Sequence, residues 1–460
     1  MYAKWGKILS IVVLAALIAS AIVACQPAAE PTKAPEPTKA PETGKPAIEP
    51  GELEVGVLWE EGSWFDIVKE IGNSLEKDFP GTKVIYTFNN TAARPAIESR
   101  TLAGDPLDID VLFDSMDAQT LDWVDNGYVM DITAAMNEKR ADGTTWKDDF
   151  APIFLQPATY KGKIWGAPEQ VYIMLLHYNQ KMFDEWGKQP PKTWAELLEL
   201  CDWIKNNGGG VAPIAVTGQV DFYVGLWWNY LTQRIVGDEK VMEYLWEDTD
   251  MLMADDPGFL QAAQEMNKLR ENGYLIEGWE GTDFTTTQVY FFQDRAAMIL
   301  MGSWLMTEMK DSIPEGYQMG VAPFPSVAGG KGDQKALFGA ARPWSVTAKS
   351  NVPALAIEYL RRFTSDEVST KRANQLGAVS PNKNVPAPPG IGGLEQVVAD
   401  AATAKLIFYH YGTVGGPYGI QAAWFTPIVE MWLGKLTPEE AIKKIDDNMK
   451  QVREQRKAGG

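Results

Sequence analysis

The stretch LEVGVLWEEGSWFDIVKEIGNSLEKDFPGTKVIYTFNNTAARPAIESRTLAGDPLDIDVLF, Leu53–Phe113, settles the fold class. Leu53 to Leu58 alternates apolar and polar positions, the period of a strand, and WEEGSW breaks the alternation. Apolar residues then recur at helical spacing from Phe65 to Phe79, where Pro80-Gly81 ends the helix. Lys83 to Phe88 reads as a second strand and Ala93 to Ala103 as a second helix. Gly104-Asp105-Pro106 reads as a turn and Ile109 to Phe113 as a short buried strand. Strand, helix, strand, helix, strand is the order of a parallel α/β sheet.

The alternation continues less regularly downstream. Helical patterns run over Thr193 to Asn206, Pro257 to Asn272, Pro353 to Thr364 and Pro438 to Gln455, with short apolar strands near Ile214, Ala297 to Met301 and Trp344 to Ala348. Thr193 and Thr437 stand as N-caps, with Glu196 and Glu440 three residues on as capping-box partners. A chain of 460 residues favours two lobes over one sheet. In open α/β sheets a ligand sits beyond the carboxyl ends of the strands.

Upstream, residues 1–24 place Lys4 and Lys7 before an apolar run from Ile8 to Ala24, the pattern of a secretory signal. Ile22-Val23-Ala24-Cys25 resembles the lipobox of bacterial lipoproteins, which implies lipidation at Cys25 and an anchor on the outer side of a membrane. Residues 25–50 repeat EPTKAP with almost no large apolar side chain, so they form an extended, proline-rich tether. Cys201 is then left without a partner and reads as a small buried hydrophobe.

Composition excludes several classes. A net charge of -19 repels phosphate backbones and argues against nucleic acid as partner. Two His and two Cys leave little for a metal site, and no phosphate loop, dinucleotide fingerprint, nucleophile elbow or calcium loop occurs, so no cofactor is expected. His177 and His410 lie in no catalytic context. A glycosidase needs only two carboxylates at the right separation, and 61 acids leave that reading open. What stands out is 17 Trp, of which Trp59, Trp64, Trp165, Trp304, Trp344 and Trp424 fall at strand and helix junctions. An indole face stacks on a pyranose while carboxylates and amides take its hydroxyls. Core filling is an equally good account of any one of them.

From Leu53 onward the chain resembles the extracellular solute-binding proteins of ABC importers, in the carbohydrate group that includes maltose-binding protein. The matching pieces come in that family's order: LEVGVLW, FPGTKV, LAGDPLDIDVLFDS, DNGYVMDIT, YKGKIWGAPEQVYIMLLHYNQKMFDEWG and PPKTWAELL, then FFQDRAAMILMGSW, GVAPFP, WSVTAKS, AIEYLRRFTSDE, LGAVSPNKN and LGKLTPEEAIKKI. The resemblance implies a periplasmic-binding-protein-like fold of two discontinuous α/β lobes that close on ligand about a hinge. One lobe would take residues 51–170 and 345–378, the other 171–338 and 380–460. Crossings would fall near Gln170 to Ile173, Phe338 to Trp344 and Leu376 to Pro381.

It further implies a sugar ligand, a permease as partner, a monomer and no catalysis. The contacts it carries over in the first lobe are Trp59, Glu61, Ser63 and Trp64 after the first strand, and Asp114 and Asp117 after VLF. Tyr172 follows the first crossing, where maltose-binding protein has an acid, which implies a different sugar. Gln219, Asp221 and Trp227 follow APIAVTG; Trp304, Arg342, Trp344 and Trp424 complete the set. The bland readings stand beside these: Asp114 and Asp117 as loop acids or a cap, Tyr172 as a core aromatic, Arg342 as an ion-pair partner. A polyamine-binding protein, a tethered glycosidase and an adhesive lipoprotein remain the alternatives.

Overall fold

The computed structural model describes residues 48–89, 93–111, 118–247, 249–407, 411–413 and 416–459. Cys25, Asp114, Asp117 and His410 therefore lie outside the described residues, as do the signal and tether.

The opening stretch forms β1 (Glu52–Val57), α1 (Gly62–Asp78), β2 (Lys83–Phe88), α2 (Arg94–Ala103) and β3 (Ile109–Val111). Both β2 and β3 pair with β1 in parallel, as the alternation requires. The chain then enters β4 (Ala167–Asn179), a strand of 13 residues, every one buried. After β4 come α3 (Trp194–Asn207), β5 (Ala212–Ala215), α4 (Asp221–Ile235), α5 (Pro257–Glu271), α6 (Phe284–Phe292), β6 (Ala296–Gly302), α7 (Leu305–Glu308), β7 (Met319–Ala322) and β8 (Leu337–Val346). The remainder is mainly helical: α8 (Pro353–Phe363), α9 (Asp366–Leu376), α10 (Ile420–Trp432) and α11 (Pro438–Gly459).

Strands β4 and β8 tie the molecule together. β4 pairs antiparallel with β8 from Ala167 to Ile173, then with β6 and β7 from Met174 to Asn179. β8 in turn pairs with β3 through Trp344 to Val346. One ladder thus passes from the first lobe into the second. The buried apolar side chains divide along the same strands. One cluster holds Val55, Ile109, Ala167, Trp344 and Ala378; the other holds Val171, Met298, Ala341, Val379 and Trp424. The handover falls between Ala167 and Val171 on β4, between Ala341 and Trp344 on β8, and between Ala378 and Val379 after α9. This third connection is pinned by the Val171 amide donating to the Val379 carbonyl at 2.9 Å.

β8 begins at Leu337, seven residues before the strand expected from Trp344. Gly, Ala, Arg and Pro depress strand propensity in LFGAARP, yet Pro343 sits at a register shift between Arg342 and Pro343, a position a strand proline tolerates. Both expected capping boxes form. Glu196 N donates to Thr193 Oγ1 at 3.2 Å, and Glu440 N to Thr437 Oγ1 at 3.2 Å, with each glutamate reaching back to its threonine amide. Among the described residues no helix is long and apolar enough to cross a membrane.

Candidate functional site

Parallel strands aim their carboxyl ends one way, and antiparallel pairing to β4 and β8 turns both lobes' strand ends toward the crossings. Trp59, two residues beyond the end of β1, is 39% exposed. Its ring meets Trp64 edge-on at 5.1 Å, and Trp64 meets Trp344 at 6.0 Å. Exposure falls to 6% at Trp64 and 0% at Trp344, so three indoles step from solvent into the first lobe's core. Glu61 and Ser63 are exposed at the start of α1, and Glu61 makes no side-chain cap there. That leaves the first amides of a 17-residue helix, with their partial positive charge, facing outward. Asp110 on β3 is buried and takes Asn89 Nδ2 at 2.6 Å and Arg94 Nη1 at 2.8 Å.

At the crossing, Tyr172 is buried and meets the half-buried Trp304 edge-on at 5.2 Å. Arg342 lies over the other side of the arrangement, its guanidinium 4.8 Å from the Tyr172 ring. Beneath them Glu169 is sealed from water and bridges two arginines: Arg342 Nε donates to it at 3.3 Å, and Arg372 Nη2 also donates to it. Burial lowers the Arg372 pKa from its ordinary value. A buried Arg–Glu–Arg group carries one net positive charge, held by a strand of each crossing and by α9. Removing Glu169 would leave two uncompensated buried cations.

In the second lobe Gln219 is exposed after β5 and donates to the Gly281 carbonyl at 2.8 Å. Asp221 opens α4 half-buried, with Gln421 Nε2 at 3.3 Å. Beside it Tyr223 stacks on Phe284 at 4.7 Å, both half-buried. Sequence reasoning missed this pair, and also Glu169, Arg372, Gln288 and Glu308. The Tyr223 and Phe284 rings lie 61 positions apart and no local pattern joins them.

Three expected contacts are corrected. Trp227, Trp344 and Trp424 do not reach the surface: they are 1%, 0% and 0% exposed. Trp227 packs against Trp194, Phe324 and Trp432, and Trp424 against Trp228 and Tyr244, with its Nε1 donating to Asn229 Oδ1 at 2.8 Å. An indole with its N–H satisfied inside a closed aromatic cluster is core.

Among the described residues no group of three or more His, Cys, Asp or Glu is arranged to hold a metal ion. Residues 70–403 match the family described as bacterial extracellular solute-binding protein. The chain belongs to that family. A multiple sugar-binding protein of Streptococcus mutans is 23% identical over 268 residues, 58% of this chain and 60% of that one. The chain thus matches under two thirds of that relative's length. A diacetylchitobiose binding protein of Streptomyces coelicolor is 23% identical over 326 residues, 67% of each chain. The solved structure of a chitin oligosaccharide binding protein superposes with a TM-score of 0.71 at 21% identity, covering 88% of this chain and 100% of that one. These relatives are binding proteins, and the two-lobed fold is theirs.

Proposed function

We propose that this solute-binding protein captures a carbohydrate between its lobes and delivers it to an ABC transporter permease. The observation that carries the reading is the pairing of aromatic surfaces at the strand ends. Trp59 and Trp64 stand on the first lobe, Trp304 at the crossing, and Tyr223 with Phe284 on the second. Carboxylates and amides lie beside each: Glu61 and Ser63, then Glu308, then Gln219 and Asp221. Flat apolar faces ringed by hydrogen-bonding groups suit a pyranose, whose two faces are C–H and whose rim is hydroxyl. The sugar-binding relatives support the same cargo. Asp114 and Asp117 belong to the proposed contact set on the resemblance alone.

The lobes proposed are residues 51–170 with 345–378, and 171–338 with 380–460. Closure about β4, β8 and the link after α9 would bury the ligand and present a shape for the permease to read, a hinge motion of a familiar type. Lipidation at Cys25, with residues 25–50 as tether, would hold a monomer outside the membrane without a membrane-spanning helix in the folded part. The reading includes no catalytic step.

Thermal melting of the fragment from Gly51 onward, against mono-, di- and oligosaccharides and polyamines, tests the cargo. A ligand at 100 times its Kd adds about 2.7 kcal/mol to the folded state and raises Tm by a few degrees. A saturable shift from one sugar class establishes the carbohydrate; no shift from any sugar removes it. Release of reducing ends from a bound oligosaccharide would turn the assignment to a glycosidase.

A further inference from the structure

The cleft holds a pair of acceptors for which the chain supplies too few donors. Glu308 closes α7 one turn after Trp304, and Asp311 follows in the turn beyond it, so the three make a short row. One end of that row meets the crossing strand β4 and the other approaches the first lobe. Trp304 meets Tyr172 at 5.2 Å, and Asp311 Oδ2 stands 3.6 Å from where a Cβ on Gly62 would lie. Glu308 lies between them, its amide donating to the Trp304 carbonyl at 2.8 Å. It is open to solvent, yet surrounding protein raises its carboxyl pKa above the ordinary value, as befits a carboxylate in a crevice. No lysine or arginine among the described residues acts on it; the group that does is Gln288, whose Nε2 donates to Oε2 at 3.2 Å. Gln288 is fully buried, and its Oε1 has no partner. Both amide atoms sit on one carbon, so this orphaned acceptor stands beside the carboxylate. A buried acceptor left unpaired is costly, and a ligand that satisfies it recovers that cost.

We propose that Glu308 and Gln288, beside the Trp304 indole, form a subsite for a protonated primary amine carried on the bound sugar. The proposal rests on the carbohydrate reading and narrows it to amino sugars. A hydroxyl offers one proton and no charge. An ammonium offers three protons and a positive charge, which suits two acceptors, one of them anionic, next to an aromatic face. A carboxylate also selects against an acidic sugar, so the subsite discriminates in both directions.

Calorimetry on the full chain, with three disaccharides of one linkage and with spermidine, tests this. The disaccharides carry at the 2-position a free amine, an N-acetyl group or a hydroxyl. The free amine is expected to bind at least ~10-fold tighter than the other two, a difference of about 1.4 kcal/mol. In Glu308→Gln the preference should shrink to within ~3-fold. The hydroxyl sugar, measured on the same sample, reports whether the variant's cleft is intact. Equal binding of the three sugars, or a preference that survives Glu308→Gln, overturns the amine subsite and leaves the carbohydrate reading standing. Spermidine binding tighter than the amino sugar takes the amine off the sugar and overturns the assignment. Failure of every sugar removes the carbohydrate reading itself, and the subsite with it.

Discussion

The two lobes spend the same residue type differently. In the first, Trp59, Trp64 and Trp344 form a graded row that begins in solvent and ends in the core. In the second, Trp194, Trp227, Trp228, Trp424 and Trp432 are sealed inside a single apolar cluster, their rings packed against one another and against Phe324 and Tyr244. In the proposed reading, recognition in the second lobe passes instead to Tyr223, Phe284 and the crossing residue Trp304. An abundance of indole therefore marks a large core as readily as a sugar site. Which of the two it marks depends on where the backbone puts each ring. Substitutions on either side of this contrast should have opposite signatures, stability in the second lobe and affinity in the first.

The largest effect is expected at the sealed end. Trp424→Ala removes an indole with no exposed surface, together with the hydrogen bond its Nε1 donates to Asn229 Oδ1. It should cost about 3–5 kcal/mol of unfolding free energy by urea titration. A loss below about 1 kcal/mol would place Trp424 at a wet surface and break the contrast.

The second effect is nearly as large and depends on pH. His177 lies in the second-lobe half of β4, wholly buried, with Nδ1 on the Leu175 carbonyl at 3.1 Å and Nε2 without a partner. Burial pushes its pKa down to about 4. The unfolded chain protonates this ring near ~6.5, and the native state resists until much lower pH. Stability from keeping His177 neutral is therefore complete above the unfolded value. It drains away as pH falls from ~6.5 toward 4, by about 3 kcal/mol. His177→Leu should remove that component of the acid slope in unfolding curves taken at pH 7 and pH 4.5. An unchanged slope would mean that water reaches the ring and that the second lobe is less sealed than its Trp residues indicate.

Sequence reasoning worked where one period governs one element. β1, α1 and α2 were legible because each buries one face, β2 because its apolar run is short and bounded by turn residues, and Thr193 and Thr437 because a cap is a local exchange of hydrogen bonds. β4 was not legible from pattern, and of β8 only the end from Trp344 was. Buried on both faces, APEQVYIMLLHYN shows no alternation, and only the family resemblance marked it as a crossing. The site was half legible for the same reason. Trp59 and Trp304 sit at element ends that a sequence pattern locates, whereas Gln288 and Glu308 meet through the folding of α6, β6 and α7. Trp227 and Trp424 misled because an indole has no signature that separates packing from recognition.

The caps give a smaller effect that sharpens the contrast by standing outside it. Thr193→Ala and Thr437→Ala each lose one half of a reciprocal pair at a helix start on the surface of the second lobe. Each should cost about 1 kcal/mol, with no change in ligand affinity. A change in affinity would mean that cap fraying reaches the cleft, and that the second lobe does not behave as the rigid body its core suggests.

The smallest stability effect is the most informative. Trp59 is 39% exposed and leans on Trp64 by one edge, so Trp59→Ala leaves the core untouched and should move unfolding free energy by no more than about 0.5 kcal/mol. If the outer indole of the row is held out for a ligand, the same substitution should weaken sugar binding by ~10-fold or more, since aromatic anchors dominate recognition surfaces. Trp64→Ala sits between the extremes at 6% exposure and should lose both quantities. Measured together, the three changes order themselves by exposure: affinity alone at Trp59, affinity with stability at Trp64, stability alone at Trp424. A Trp59→Ala protein that unfolds earlier yet binds as before would reverse that order. The first lobe's row would then be a core that happens to surface, and the ligand would have to be held by the crossing and the second lobe without it.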